Sequence, residues 1–171
     1  MTVTTTLEAL KTLVSNTTPS SGGAVNVYAV PADVSQSAAN GGISYALPVG
    51  LVMQRLGNDA AQNSTGIWGS GCFVHRYHVE IMIGLGLATT INEQINRGKL
   101  PTSVIMAPYE SKAQLWLAAL HAAVIANYTL SGTVTIGLGE SVIEDYRIGY
   151  LPWENPGMFG LWCSLAIEEP I

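Results

Sequence analysis

The hydrophobic positions of this chain follow two periods, one helical and one extended. Near the start, "TTLEALKTLVSN" spaces Leu7, Leu10, Leu13 and Val14 along one helix face, with Thr5 or Thr6 placed as N-cap. "AVNVYAV" predicts a strand ended by Pro31. "ISYALPVGLVMQRL" predicts another extended stretch, in which Pro48 argues for an edge strand or a bulge. "GNDAAQNSTGIWGSG" is a polar, glycine-rich connection, long enough to move in an isolated subunit. The clearest alternation is "CFVHRYHVEIMIGLG": Phe73, His75, Tyr77, Val79, Ile81 and Ile83 share one face, while Val74, Arg76, His78, Glu80 and Met82 share the other.

"TINEQINRG" predicts a modest helix closed by Gly98, and "LPTSVIMAPYES" a connection with room for a short strand. The strongest helix is "SKAQLWLAALHAAVIAN", with Ser111 as cap. Trp116, Leu117, Leu120 and Val124 face one way, yet Leu115, Ala119, Ala122 and Ala126 carry the apolar surface round the other side. Only Gln114 and His121 mark a polar line, so the pattern predicts a helix covered on both sides. "GTVTIGLG", "SVIEDYRIGYLPW" and "MFGLWCSLAIE" read as closing strands, the last two joined through the turn-forming "ENPG". The order predicts a single α+β domain over residues 1–171. Its sheet is mainly antiparallel, with a short N-terminal helix and a long mid-chain helix packed on one face, and it ends in a C-terminal β-hairpin.

The final strand poses a question of its own. One face carries Phe159, Leu161, Cys163, Leu165 and Ile167; the other carries Met158, Gly160, Trp162, Ser164 and Ala166, with no charge at all. A half-exposed strand is polar on its outer side, so something must cover this one. Composition sharpens the question. Only 11% of residues are charged, against roughly 25% in an ordinary soluble domain, and mean hydropathy is positive. The longest apolar run, Ala113 to Ala126, is shorter than the roughly 20 residues a membrane span needs. Protein partners, and an obligate oligomer first among them, are the expected cover. Trp116, Trp153, Met158 and Trp162 are the candidate interface anchors. Plain core is the alternative for each, and Trp153, beside Pro152 in a predicted turn, is the best placed for contact.

Charge is lopsided. Residues 1–138 hold six acids and six bases, whereas Gly139 to Ile171 holds six acids against Arg147 alone, which accounts for the net −5. Glu140, Glu144, Asp145 and Glu154 mark this as an acidic surface, to be read either as a solvated hairpin or as a surface aimed at a partner. No basic nucleic-acid footprint is present. Cys72 and Cys163 both lie in apolar strand contexts, which predicts buried free thiols and leaves a disulfide open. The N-terminus shows no export signal, so the chain is expected to be made and used in the cytoplasm.

Catalytic chemistry finds little footing. His75 and His78, three apart on a strand, point to opposite faces and cannot share a metal without a bulge. "IGLGLATT" and "IGLGES" lack the spacing of a phosphate loop, and "GSGC" lacks the flanking pattern of a nucleophile elbow. No cofactor, metal or catalytic residue is assigned.

In layout the chain is similar to the tail terminator proteins of long-tailed bacteriophages and the related head-to-tail completion proteins. The shared features are the short N-terminal helix, the strand at Cys72 to Gly84, the helix at Ser111 to Asn127 and the closing "IGYLPWENPGMFGLWCSLAIEE". The resemblance implies a virion protein without enzymatic activity, assembled in the host cytoplasm as a homo-hexameric ring at the head-proximal end of the tail. Such a ring ends tail-tube polymerisation and meets two partners, the tail tube protein and the head-tail connector protein. DNA passes through it without specific binding, and the acids named above would line the channel or the docking surface. A ring gives each subunit two different neighbours, which would cover the second faces of the last strand and the long helix. Two alternatives stand beside this: another neck or tail-tube ring component, and a soluble α+β enzyme or ligand-binding module using His75, His78 or His121.

Overall fold

A computed structural model describes residues 3–19, 26–30, 46–55, 63–66, 73–130, 132, 134–137, 141–154 and 157–170. The elements are α1 (Val3–Asn16), β1 (Asn26–Val30), β2 (Val49–Gln54), β3 (Asn63–Gly66), β4 (Phe73–Leu87), α2 (Ala88–Asn96), α3 (Thr102–Ala126), β5 (Thr135–Ile136), β6 (Asp145–Glu154) and β7 (Gly157–Pro170). These seven strands join one sheet, ordered β1-β2-β4-β7-β5, with β3 added to β4 and β6 to β7. Among the described residues only β1 and β2 run parallel; every other pairing is antiparallel. This is the expected α+β class.

The spine is the β4–β7 pair, matched from Val74↔Pro170 to Leu87↔Met158. Register fixes the faces. Tyr77, Val79, Ile81 and Ile83 lie beside Ile167, Leu165, Cys163 and Leu161 on the face that receives the helices. Leu7, Leu10 and Val14 of α1, with Ala113, Trp116, Leu120 and Val124 of α3, close over them. Each such large side chain withdrawn from water contributes roughly 1.5–3 kcal/mol. The opposite face forms a smaller core of its own from Val49, Leu51, Met82, Leu151 and Met158, with Tyr28, Met53, Leu87 and Trp162 against it.

Several expectations are corrected. Helix α1 begins at Val3, so Thr5 and Thr6 are inside it rather than at its cap, and Thr6 is buried. Strand β2 starts just after the cis Leu47–Pro48 peptide and lies between β1 and β4, so Pro48 precedes an interior strand instead of marking an edge. The segment expected as a connection before Ser111 is helical: α3 starts at Thr102, with Pro101 at the N-cap position and no side-chain cap, and continues through Pro108. A proline in a helix interior removes one backbone donor and costs about 3 kcal/mol. Packing of Ile105 and Tyr109 around Phe159 offsets it. Trp153 lies within β6, not in a turn. The sequence from Gly57 to Gly71, expected as a connection, contributes β3 to the sheet, and its remaining residues lie outside the described ones.

Other expectations hold. Helix α2 ends where Arg97 and Gly98 donate their backbone N–H groups to Glu93 and Ile95, with Gly98 at φ +63. Such a left-handed turn is the usual reason for glycine at a helix end. His75 and His78 do occupy opposite faces: His75 lies against Tyr77 on the helix side, and His78 reaches Glu144 on the other.

One glycine is required by close approach. A Cβ on Gly160 would collide with the carbonyl oxygen of Ile83, beside the irregularity between Gly84 and Gly86. Gly160→Ala should therefore lower unfolding stability by about 3 kcal/mol or more, because backbone rather than a movable side chain must give way. Urea unfolding measures this; an unchanged midpoint would show that the strands tolerate the shift.

Candidate assembly surfaces

Two surfaces carry the residues singled out above, and the fold adds a third. The first is the sheet face turned away from the helices. Beyond its apolar end, long polar side chains pair across strands: Arg76 with Glu168 at 3.0 Å, His78 Nε2 with Glu144 at 2.9 Å, and Arg55 with Glu80 at 3.6 Å. Their register places Glu80 and Asp145 on either side of Ser164, and His78 beside Ala166. Ser164 and Ala166 are both buried. The uncharged second face of β7 is thus closed within one chain: small residues lie low between rows of longer neighbours, and Met158 fills the apolar end. The expected cover by a second subunit is not required there.

Met158, 1% exposed, is accordingly a core residue, as is Trp116 at 2%. Both therefore occupy the single chain's own core, the alternative that the sequence left open for each. Trp162 is half-buried, with the Arg147 guanidinium 5.9 Å above its ring. It borders a depression of about 510 Å³ shared with Arg55, Glu80, Asp145, Tyr146, Arg147 and Pro152. For Trp153 and Glu154 the structure gives the backbone position in β6, and Glu140 and Cys72 lie outside the described residues. Glu144 and Asp145 are exposed at the start of β6.

The second surface is the outward side of α3. With Trp116, Leu120 and Val124 in the core, the opposite side turns Val104, Ala107, Ala118, Ala122 and Ile125 to solvent, and Val104 and Ile125 keep 51% and 50% of their surface. Gln114 and His121 are exposed on the same side, the polar line the sequence indicated. The expectation of a helix covered on both sides is therefore half met within one chain: the inner side is covered and the outer is open.

The third surface was not legible from sequence. A cleft of about 480 Å³ between α2 and the first half of α3 is lined by Gln94, Arg97, Lys99, Leu100, Val104, Ile105, Pro108, Tyr109 and Lys112. It gathers three of the chain's seven bases, although its lining residues span two helices and the turn between them. Arg97 has Glu93 at 4.0 Å; Lys99 and Lys112 have no carboxylate within ion-pair distance among the described residues.

Among the described residues, no three His, Cys, Asp or Glu side chains group to hold a metal ion, and no helix is long and apolar enough to cross a membrane. Cys163 is free and buried, and desolvation, with Asp145 adding repulsion, pushes its thiol up to about 12. At neutral pH it is neither thiolate nor nucleophile. Burial likewise raises Tyr77 to about 12, where the phenol lies 3.4 Å from Glu169.

Both groups are acids held neutral by the fold, so their contribution is complete below the unfolded values, 9 for the thiol and 10 for the phenol, and declines as pH rises toward 12. Stability should fall from about pH 9 upward. In Cys163→Ala the decline should begin nearer pH 10, where Tyr77 takes over. Thermal melts across this window, read as slopes, check it; identical slopes in the two proteins would remove the thiol from the account.

Comparison with known proteins gives no matching family model and no matching curated protein.

Proposed function

We propose that this chain is a structural virion protein of a long-tailed phage, acting as a homo-hexameric ring at the head-proximal end of the tail. The observation that carries the reading is the open side of α3. A 25-residue helix whose inner side already fills the core presents alanines, Val104 and Ile125 outward, in a chain only 11% charged. An apolar helix side of this kind is a protein-contact surface, and repeated copies of one subunit about an axis cover it with the fewest distinct parts. The layout resembling that of tail terminators supplies the place: the ring ends the tail tube and receives the head connector. The net charge of −5, concentrated after Leu138, suits a passage through which DNA moves without adhering. The protein serves no reaction in this reading and requires no cofactor.

Ile125→Lys places a charge at the C-terminal end of the open helix side, at a position half exposed and outside the buried core. The variant should stay folded by circular dichroism yet sediment as a monomer under conditions where the parent forms hexamers. Trp153→Ala should weaken assembly in the same way. Binding of the parent to purified tail tubes, with loss of further tube growth, tests the terminator role. A parent that stays monomeric at high concentration and ignores tail tubes would refute the reading.

A further inference from the structure

The α2–α3 cleft has an ordered lining. Val104, Pro108 and Lys112 recur every four residues and form one row along α3, with Ile105 and Tyr109 as a second row beside it. Arg97 closes α2, and Lys99 and Leu100 follow it in the turn. The bases are therefore held at two ends. Arg97 and Lys99 belong to the turn before α3, whereas Lys112 lies about 15 Å along that helix from Thr102. Between them is an apolar floor, of which Leu100 and Val104 keep 57% and 51% of their surface exposed. Among the described residues no acid lines the cleft. Glu93 meets Arg97 only at 4.0 Å, with both side chains largely exposed. Glu110, two positions from Lys112 on the helix, is turned away from it.

We infer that this cleft docks an acidic segment of a partner protein, an extended stretch in which carboxylates about four residues apart bracket apolar side chains. One carboxylate accepts hydrogen bonds from Arg97 and Lys99 and the other from Lys112, while the side chains between them rest on Leu100, Val104 and Tyr109. Charge selects the sign of the occupant, because three of the chain's seven bases surround a lining that holds no acid among the described residues. Spacing selects its kind. A free inorganic anion fills one end and leaves the floor bare. Nucleic acid is bound along continuous basic stripes, and here apolar side chains interrupt the bases in a chain of net charge −5. A small organic ligand is enclosed over most of its surface, which a floor this exposed does not provide. A peptide held in place by its own protein satisfies both ends and the floor together. The inference goes beyond the ring reading and needs only the folded chain. Ile125 lies about 20 Å further along α3 than Lys112, so a failure at the cleft leaves the ring reading as it stood.

The probes are fluorescein-labelled peptides with an Asp-Asp pair at each end of a Leu- and Phe-containing stretch of increasing length. Binding to the full chain is read by fluorescence anisotropy. Affinity should peak where the acidic pairs stand about four residues apart. Replacing the Asp pairs of the best peptide by Asn, or the cleft bases in Lys99→Glu/Lys112→Glu, should weaken binding at least about tenfold. Neither lysine holds a carboxylate among the described residues, so the variant should melt as the parent does. If it does not fold, Lys99→Gln/Lys112→Gln replaces it, with a smaller loss expected. Leu100→Asn, at an exposed position, should also weaken the best peptide. Four results each overturn the inference: no peptide binds, acid and amide peptides bind alike, affinity ignores the spacing, or a short DNA duplex binds more tightly than the best peptide.

Discussion

Every other element of this protein is placed by the ladder between β4 and β7. Two long strands, each apolar on the helix side and ending in an apolar stretch on the other, cannot be satisfied by a single layer of helices. Each face therefore organises its own cover: α1 and α3 on one side, and on the other a compact apolar cluster followed by cross-strand ion pairs. Exposed ion pairs of this type add little stability individually. Their structural role is spatial, since the long side chains of Glu80, His78 and Glu144 stand above Ser164 and Ala166, whose own side chains are too short to reach water.

The glycines of the ladder belong to the same constraint. Gly84, Gly160 and Gly149 sit side by side across β4, β7 and β6. At Gly84 a side chain would take the space of the Met158 sulfur, 2.6 Å from where its Cβ would stand. The missing side chains let one methionine reach Val49 across the sheet, so the second core is continuous through a row that carries no Cβ atoms.

Much of this was legible in the sequence because its periodicity is strong. The two faces of β4, the inner side of α3 and the stop at Gly98 follow directly from spacing and from one left-handed residue. What sequence obscured has identifiable causes. Pro108 concealed the first turns of α3, since the local cost of an interior proline outweighs local propensity and only tertiary packing against Phe159 reverses the balance. The uncharged face of β7 suggested a neighbouring chain because cross-strand pairs join residues many positions apart and leave no mark in a local window. For the same reason the sequence left core and interface both open for Met158 and Trp116. The basic cleft escaped notice because its bases are scattered among acids along the chain and converge only when α2 and α3 pack together.

The proline within α3 has a consequence for the order in which the molecule becomes competent. Residues ahead of Pro108 lack a full set of helical hydrogen bonds and hold their shape through Ile105 and Tyr109 resting on the start of β7. One wall of the cationic cleft is made from those same turns. A chain whose sheet is still incomplete therefore offers no finished receptor, and native folding becomes the condition for admission to any larger structure built through that cleft.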